Sequence, residues 1–225
     1  FILRRPHEGQ GGGVKRVAVL PFENVGAPED DYFADGIADE IRSKLTALPG
    51  VEVIARASST PYKKTTKTPR QIADELGASY LLTATVRWQK AAGASRVHVI
   101  PELVEVAGSG APRSKWQQSF DAALTDVFQV QSDIATRVAQ SLGLALGAGQ
   151  ERRLSEKPTQ NLAAYDAFLR GQAAQSQGNT TDPAVLRKTL ESFEQAVALD
   201  PGFADAWAEL SHTAASLYAN GTPTP

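Results

Sequence analysis

The sequence predicts a mixed-sheet α/β (α+β) domain, order β-α-β-α-β-β-β-α, followed by an all-α tail. Three observations predict it. Apolar runs such as "VAVLPF" and "YLLTATVRW" have strand length and strand composition. The stretches 32–48 and 125–146 carry apolar residues at spacings of three and four, the mark of helices with one buried face. Beyond residue 160 the pattern is helical throughout.

The elements follow in order. "RVAVLPF" reads as a buried strand ending at Phe22, and Phe33, Ile37, Ile41, Leu45 and Leu48 form the stripe of the first helix. Pro49-Gly50 stops that helix, and "VEVIA" (51–55) is the second strand. In "TPRQIADELGA", Thr68 fits an N-cap, Pro69 the first helical position, Gln71 the capping box and Gly77 the terminator. "SYLLTATVRWQ" (79–89) and "SRVHVIPELVEV" (95–106) are long strands joined by the hairpin "KAAGA". "SKWQQSF" (114–120) reads as one further edge strand. Val127, Phe128, Val130, Ile134, Val138 and Leu142 line the closing helix.

These readings divide the chain into a linker at 1–14, an α/β domain at 15–147, a linker at 148–160 and helices at 161–225. The polar, glycine-bearing "GAGQERRLSEKPTQ" marks the boundary, and "HEGQGGG" has the composition of a flexible tether. "FILRRP" is far shorter than the roughly 20 residues that cross a bilayer. It reads either as the end of a membrane helix belonging to a longer parent or as unstructured residues.

Composition excludes several functions. The 225 residues contain no cysteine, which removes disulfides, thiolate metal sites and cysteine nucleophiles. A net charge of −2 gives no electrostatic footprint for nucleic acid. The strand-loop-helix order at "GAPEDDYFADGIADEI" is where many enzymes hold phosphate, but Glu29, Asp30 and Asp31 would repel one. Those carboxylates suit the positive end of a helix, with Asp30 or Asp31 as the cap. Asp31, Asp35 and Asp39 share one helical face, expected to be solvated rather than to bind Mg²⁺ or Ca²⁺. Gly36 inside the helix implies a close contact, expected to be with the sheet. "GSGAPRSK" (108–115) lacks the phosphate-loop order, the hydrolase and kinase motifs are absent, and His7, His98 and His212 do not converge. No cofactor or metal is expected. The polar cluster Arg56, Ser58, Ser59, Tyr62, Lys63 and Lys64 leaves the end of a strand. It is a solvated loop or, on the sharper reading, a groove for a partner segment or small anion.

The tail is self-similar. Thr189, Phe193, Ala196 and Pro201 are spaced by four, three and five residues, and Trp207, Leu210 and Ser211 repeat the opening at Tyr165. This resembles the tetratricopeptide repeat, stretched from the usual 34 residues to 42 and covering about one and a half units. Such units bury their apolar faces only on neighbours, so this tail requires further repeats, the α/β domain or another chain.

"VAVLPFENV", "DDYFADGIADEI", "LPGVEVIARASSTPYK", "RQIADELGASYLLTATVR" and "FDAALTDVFQVQSDIATRVAQSL" together resemble the TolB amino-terminal-like (FlgO-like) domain of bacterial signalling proteins. The match runs in order over about 15–146, with Tyr32, Phe33, Asp35 and Gly36 as the motif helix; "GSGAPRSKWQQSF" departs from it. The resemblance implies a noncatalytic sensory or interaction module followed by tetratricopeptide repeats. It also implies a membrane anchor and an upstream effector, with a Ser/Thr kinase expected, and an extracytoplasmic location for this fragment. A protein or peptide partner, or a second copy, is the expected ligand. The alternatives are a dimerisation module of a class III adenylate cyclase or winged-helix regulator, and a small-ligand or metal-dependent enzyme using the helix at 29–39.

Overall fold

The computed structural model describes residues 14–91, 95–106, 108, 110–177 and 181–220. The expectations placed on "FILRRP", the glycine-rich tether with His7, the hairpin tip and the last five residues lie outside them.

The first strand comes in two pieces, β1 (Lys15–Val19) and β2 (Glu23–Asn24). Pro21 has no N–H for a ladder, so pairing lapses there and Phe22 turns into the core. Helix α1 (Asp31–Thr46) follows a 3-10 turn at Pro28–Asp30. Asp30 occupies the N-cap position but its side chain makes no capping bond. It is buried, and its carboxylate accepts from Lys90 Nζ at 2.5 Å. Asp31 accepts from Asn24 Nδ2 at 3.0 Å. The expected side-chain cap is therefore replaced by tertiary charge pairing.

Strand β3 (Val51–Val53) and β4 (Tyr80–Gln89) flank β1 in parallel. Between them lie a short unanticipated helix α2 (Arg56–Ser59) and α3 (Pro69–Leu76). α3 is capped as its sequence dictates: Thr68 and Gln71 form the reciprocal box, and Gly77 closes it with φ +61. Strand β5 (Arg96–Glu105) pairs antiparallel with the whole of β4.

The single edge strand expected at 114–120 is two strands, β6 (Arg113–Gln117) and β7 (Phe120–Ala123), both paired with β5. Pro101 lies opposite the break. Its carbonyl accepts from Gln118 N at 3.4 Å, and a strand residue's N–H and C=O point to the same side. The donor that proline lacks is thus missing at the place where β6 gives way to β7. The sheet runs β3-β1-β4-β5-β6, with β2 beside β4 and β7 beside β5.

Helix α4 (Val127–Ser141) ends before residue 146, because Gly143 turns the chain with φ +79. The segment expected to be a linker holds α5 (Ala148–Ser155). Leu154 is buried, and Lys44 Nζ donates to the carbonyls of Leu154 (2.8 Å) and Glu156 (2.6 Å). Three long helices follow: α6 (Leu162–Gln177), α7 (Pro183–Leu199) and α8 (Ala204–Asn220), with α7 packed on both others. No helix among the described residues is long and apolar enough to cross a membrane.

Strand alternation divides the core. Val17, Val19, Leu82, Val97, Val99 and Leu103 belong to the cluster with α1 and α4, whereas Ala18, Leu81 and Val106 pack with Ile72 and Ala73 of α3. The larger cluster does not stop at residue 147. It continues through Leu154, Tyr165, Phe168 and Leu169 to Phe193, Phe203 and Ala206. The tail therefore buries its first face on the sheet domain.

Candidate functional site

Helix α1 divides its residues among three faces. Phe33, Ile37 and Ile41 enter the sheet core, where the rings of Phe33 and Trp88 lie 4.6 Å apart. Gly36 meets α6 rather than the sheet: a Cβ added there would sit 2.4 Å from Leu169 Cδ2. Tyr32 donates its hydroxyl to Asp166 at 2.5 Å, and the Arg170 guanidinium lies 4.6 Å over the Tyr32 ring. Burial, then the Asp166 bond, push the Tyr32 hydroxyl above its ordinary pKa. Tyr32 and Gly36 thus hold the tail, and Phe33 holds the sheet.

The third face is polar. Lys63 Nζ stands 2.6 Å from Asp35 and 3.6 Å from Asp31, and Lys64 Nζ 3.5 Å from Asp31. Asp39 accepts from Arg42 and lies 3.1 Å from Arg56 Nη1, while Arg42 Nη2 donates to the Val19 carbonyl at 2.8 Å. The face expected to be solvated is a charge-paired interface. Among the described residues no group of three or more His, Asp or Glu is placed to hold a metal. Burial dominates at Asp35 and raises its carboxyl against the pull of Lys63. Burial also acts to raise Asp31, but the Asn24 bond and the two lysines outweigh it and hold that carboxyl low.

The five loop residues read as partner-binding do not act together. Arg56 and Lys63 meet over Asp35 and Asp39, in a cavity of about 160 Å³ that Arg42, Thr60 and Ser176 also line. Ser59 is fully buried and donates to the Ala55 carbonyl at 3.4 Å. Tyr62 donates to Glu75 at 2.6 Å on the α3 side, and Ser58 borders a separate depression with Glu75 and Arg16. Sequence reading missed Arg42, although its position three residues after Asp39 is an ion-pair spacing. Ser176 carries no local signal. The turn at Gly108 and Gly110 is no phosphate cradle: Arg70 donates to the carbonyls of Val106, Gly108 and Gly110. His98 and His212 lie apart on β5 and α8.

In the tail, Thr189, Phe193 and Ala196 are fully buried, and Phe168 packs against both Phe193 (5.7 Å) and Phe203 (4.8 Å). Pro201 is exposed, and its carbonyl accepts from Trp207 Nε1 at 3.0 Å. Tyr165 and Trp207 hold matching positions in the sequence repeat but have opposite surroundings. Tyr165 is buried against α4, its ring 4.9 Å from Phe128 and its hydroxyl oxygen accepting from Gln131 at 3.0 Å. Trp207 is 47% exposed, Leu210 is half-buried and Tyr218 is 87% exposed.

A groove of about 250 Å³ lies between α1, α6 and α8, with Asp39, Glu40, Asp205 and Glu209 above Tyr165 and Phe168. Burial raises the Glu40 carboxyl and Asp205 adds to it, against the pull of Lys44 at 3.3 Å. For a carboxyl raised in the folded state, the stability it contributes is present below the ordinary value of 4.5 and lost as pH rises through the folded value. Glu40→Gln is therefore expected to gain melting temperature over wild type progressively as pH rises above the ordinary value of 4.5. A pH series of thermal melts checks this, and a difference that shrinks as pH rises would contradict it.

No protein-family model matches the chain. Over 205 residues, 91% of this chain, it is 34% identical to a protein of Rhizobium meliloti (strain 1021) named "Putative adenylate cyclase 3". The chain spans 33% of that protein's length. Among solved structures, similar ones include the hypothetical protein CT253 of Chlamydia trachomatis, at 13% identity and TM-score 0.43, over 57% of this chain and 98% of that one. TolB of Acinetobacter baumannii is 14% identical with TM-score 0.42, over 57% and 28%. Lipoprotein GNA1162 of Neisseria meningitidis is 16% identical with TM-score 0.39, over 56% and 98%.

Proposed function

We propose that this chain is a noncatalytic sensory and protein-interaction module of a membrane-anchored bacterial signalling protein. The observation that carries the reading is the double use of α1, which holds the sheet by one face and the tail by another. Such a helix transmits strain between a recognition surface and its neighbours, because packed cores shift as units. We read α6–α8 as tetratricopeptide-type helices. Phe168, Gly171, Phe193 and Phe203 interlock them, and α1 and α4 cover Tyr165 where an array would place a preceding repeat. The alignment with the Rhizobium protein is long enough to take in both the sheet domain and the tail, and it leaves two thirds of that protein for other parts. Its name favours a cyclase as the effector over the Ser/Thr kinase that the resemblance implied. The charge pairing of Asp31, Asp35 and Asp39 speaks against the enzyme reading.

Recognition falls to the exposed face of α8, where Trp207 and Tyr218 present aromatic surface to a protein or peptide outside the cytoplasm. The test uses the membrane-anchored parent protein carrying Trp207→Glu and Tyr218→Glu. Its signalling output is expected to fall while the fold, followed by circular dichroism, persists. Full output from this variant would overturn the reading. Light scattering separates the two kinds of partner: a mass that doubles with concentration, and no longer does so in the variant, means that copies pair through α8.

A further inference from the structure

We propose that the cavity framed by α1, α2 and the turn after α2 binds a small oxyanion of the phosphate class. The site is separate from the α8 face, so this inference goes beyond the recognition reading and does not depend on it.

Donors outnumber acceptors in this cavity. Arg42, Arg56 and Lys63 bring three positive charges, while Asp35 and Asp39 line the cavity with two negative ones and Asp31 stands 3.6 Å from Lys63 outside the lining. Asp39 divides its oxygens between Arg42 and Arg56, and Asp35 holds Lys63. Arg42 has spent both terminal nitrogens, on Asp39 and on the Val19 carbonyl; its buried Nε has no partner among the described residues. That Nε is enclosed and has no surface on the cavity, so the donors left for a ligand are those of Arg56, whose guanidinium has five to place. The side chain of Arg56 is 42% exposed and reaches Asp39 through Nη1. A multi-oxygen anion supplies the acceptors that this set lacks.

Position supports the same ligand. The cavity opens at Pro21, two residues beyond β1, at the carboxyl end of a strand with parallel neighbours on both sides, where such sheets collect ligands. The cations arrive from three segments around about 160 Å³, an arrangement that suits oxygens pointing several ways better than the two of a carboxylate. Ser176 closes the far side from the last turn of α6, where the helix dipole opposes an anion. The charge therefore sits on the Arg42–Arg56 side, and α6 acts as the wall.

The experiment titrates inorganic phosphate into the intact chain by calorimetry, with ionic strength held constant by sodium chloride. Saturable binding is expected. Arg56→Gln should weaken it by about tenfold or more, while Arg16→Gln, an exposed arginine paired with Glu52 across β1 and β3, should leave it unchanged. Hydrogen exchange on the unmodified chain gives a second reading: phosphate should slow amides within 35–63 and leave those of α7 as they were. Absence of saturable binding would overturn the proposal. So would equal affinity in Arg56→Gln, equal weakening in Arg16→Gln, acetate binding as tightly as phosphate, or protection confined to other segments.

Discussion

Phe193→Ala is expected to lower stability by about 3–5 kcal/mol, the usual cost of truncating a buried aromatic ring. The ring is fully buried, and its neighbours cannot collapse into the space it leaves. Gly171 offers no side chain, since a Cβ there would stand 2.5 Å from the ring, and Phe168 is already fixed between Phe193 and Phe203. Urea denaturation should show a lower midpoint with an unchanged slope. The loss should also appear in probes remote from the tail, because the cluster around Phe193 is continuous with that around α1. A loss under about 1 kcal/mol would mean that the tail packs loosely.

Gly36→Leu should separate the two halves of that core. Replacing a helical glycine gains up to about 1 kcal/mol of helix propensity, but overpacking a filled interface costs about 1–3 kcal/mol and occasionally more. At Gly36 the cost prevails: the first added carbon already meets Leu169 within 2.4–3.0 Å, and Leu169 is itself buried. A branched side chain must push α6 away and strain the Tyr32–Asp166 bond. The variant is expected to lose about 2 kcal/mol or more by denaturation, on the overpacking scale. Gly149, helical in α5 with open space around its Cβ position, provides the control. Gly149→Ala should be neutral or stabilising. If Gly36→Leu were equally well tolerated, α6 would not be seated on α1.

Local chemistry was legible wherever the signal was local. The Thr68–Gln71 box and the left-handed Gly77 are fixed by residues within one turn of each other, and α3 folds as read. The stripe Phe33, Ile37, Ile41 and Leu45 lies buried as its spacing requires. What escaped depends on partners far along the chain. The reason for Gly36 is Leu169, and the reason for Tyr32 is Asp166 with Arg170. Asp30 looked like a cap until Lys90 claimed it. The polar segment 148–160 looked like a tether because its anchors are one buried leucine, the buried Thr159 hydroxyl donated to Asp200 and two carbonyls held by Lys44, and backbone carbonyls leave no mark on composition. Pro101 was visible in β5, but only the pairing of both neighbours shows that it splits the edge into β6 and β7. Of the loop read as binding, Arg56 and Lys63 reach the cavity; Ser59, the last residue of α2, turns inward, and Tyr62, in the 3-10 turn at Thr60–Tyr62, points toward α3.

Helix α1 packs on both the sheet and the tail, so the two are expected to open as one cooperative core. Native-state hydrogen exchange of the intact chain in increasing, sub-denaturing urea tests it most directly, because it reads the opening free energy of each segment separately. Amides in the middle of α1, β4, α6 and α7 are expected to share one opening free energy and to respond alike to urea. A tail whose amides open at a distinctly lower free energy, while α1 and β4 stay protected, would contradict it.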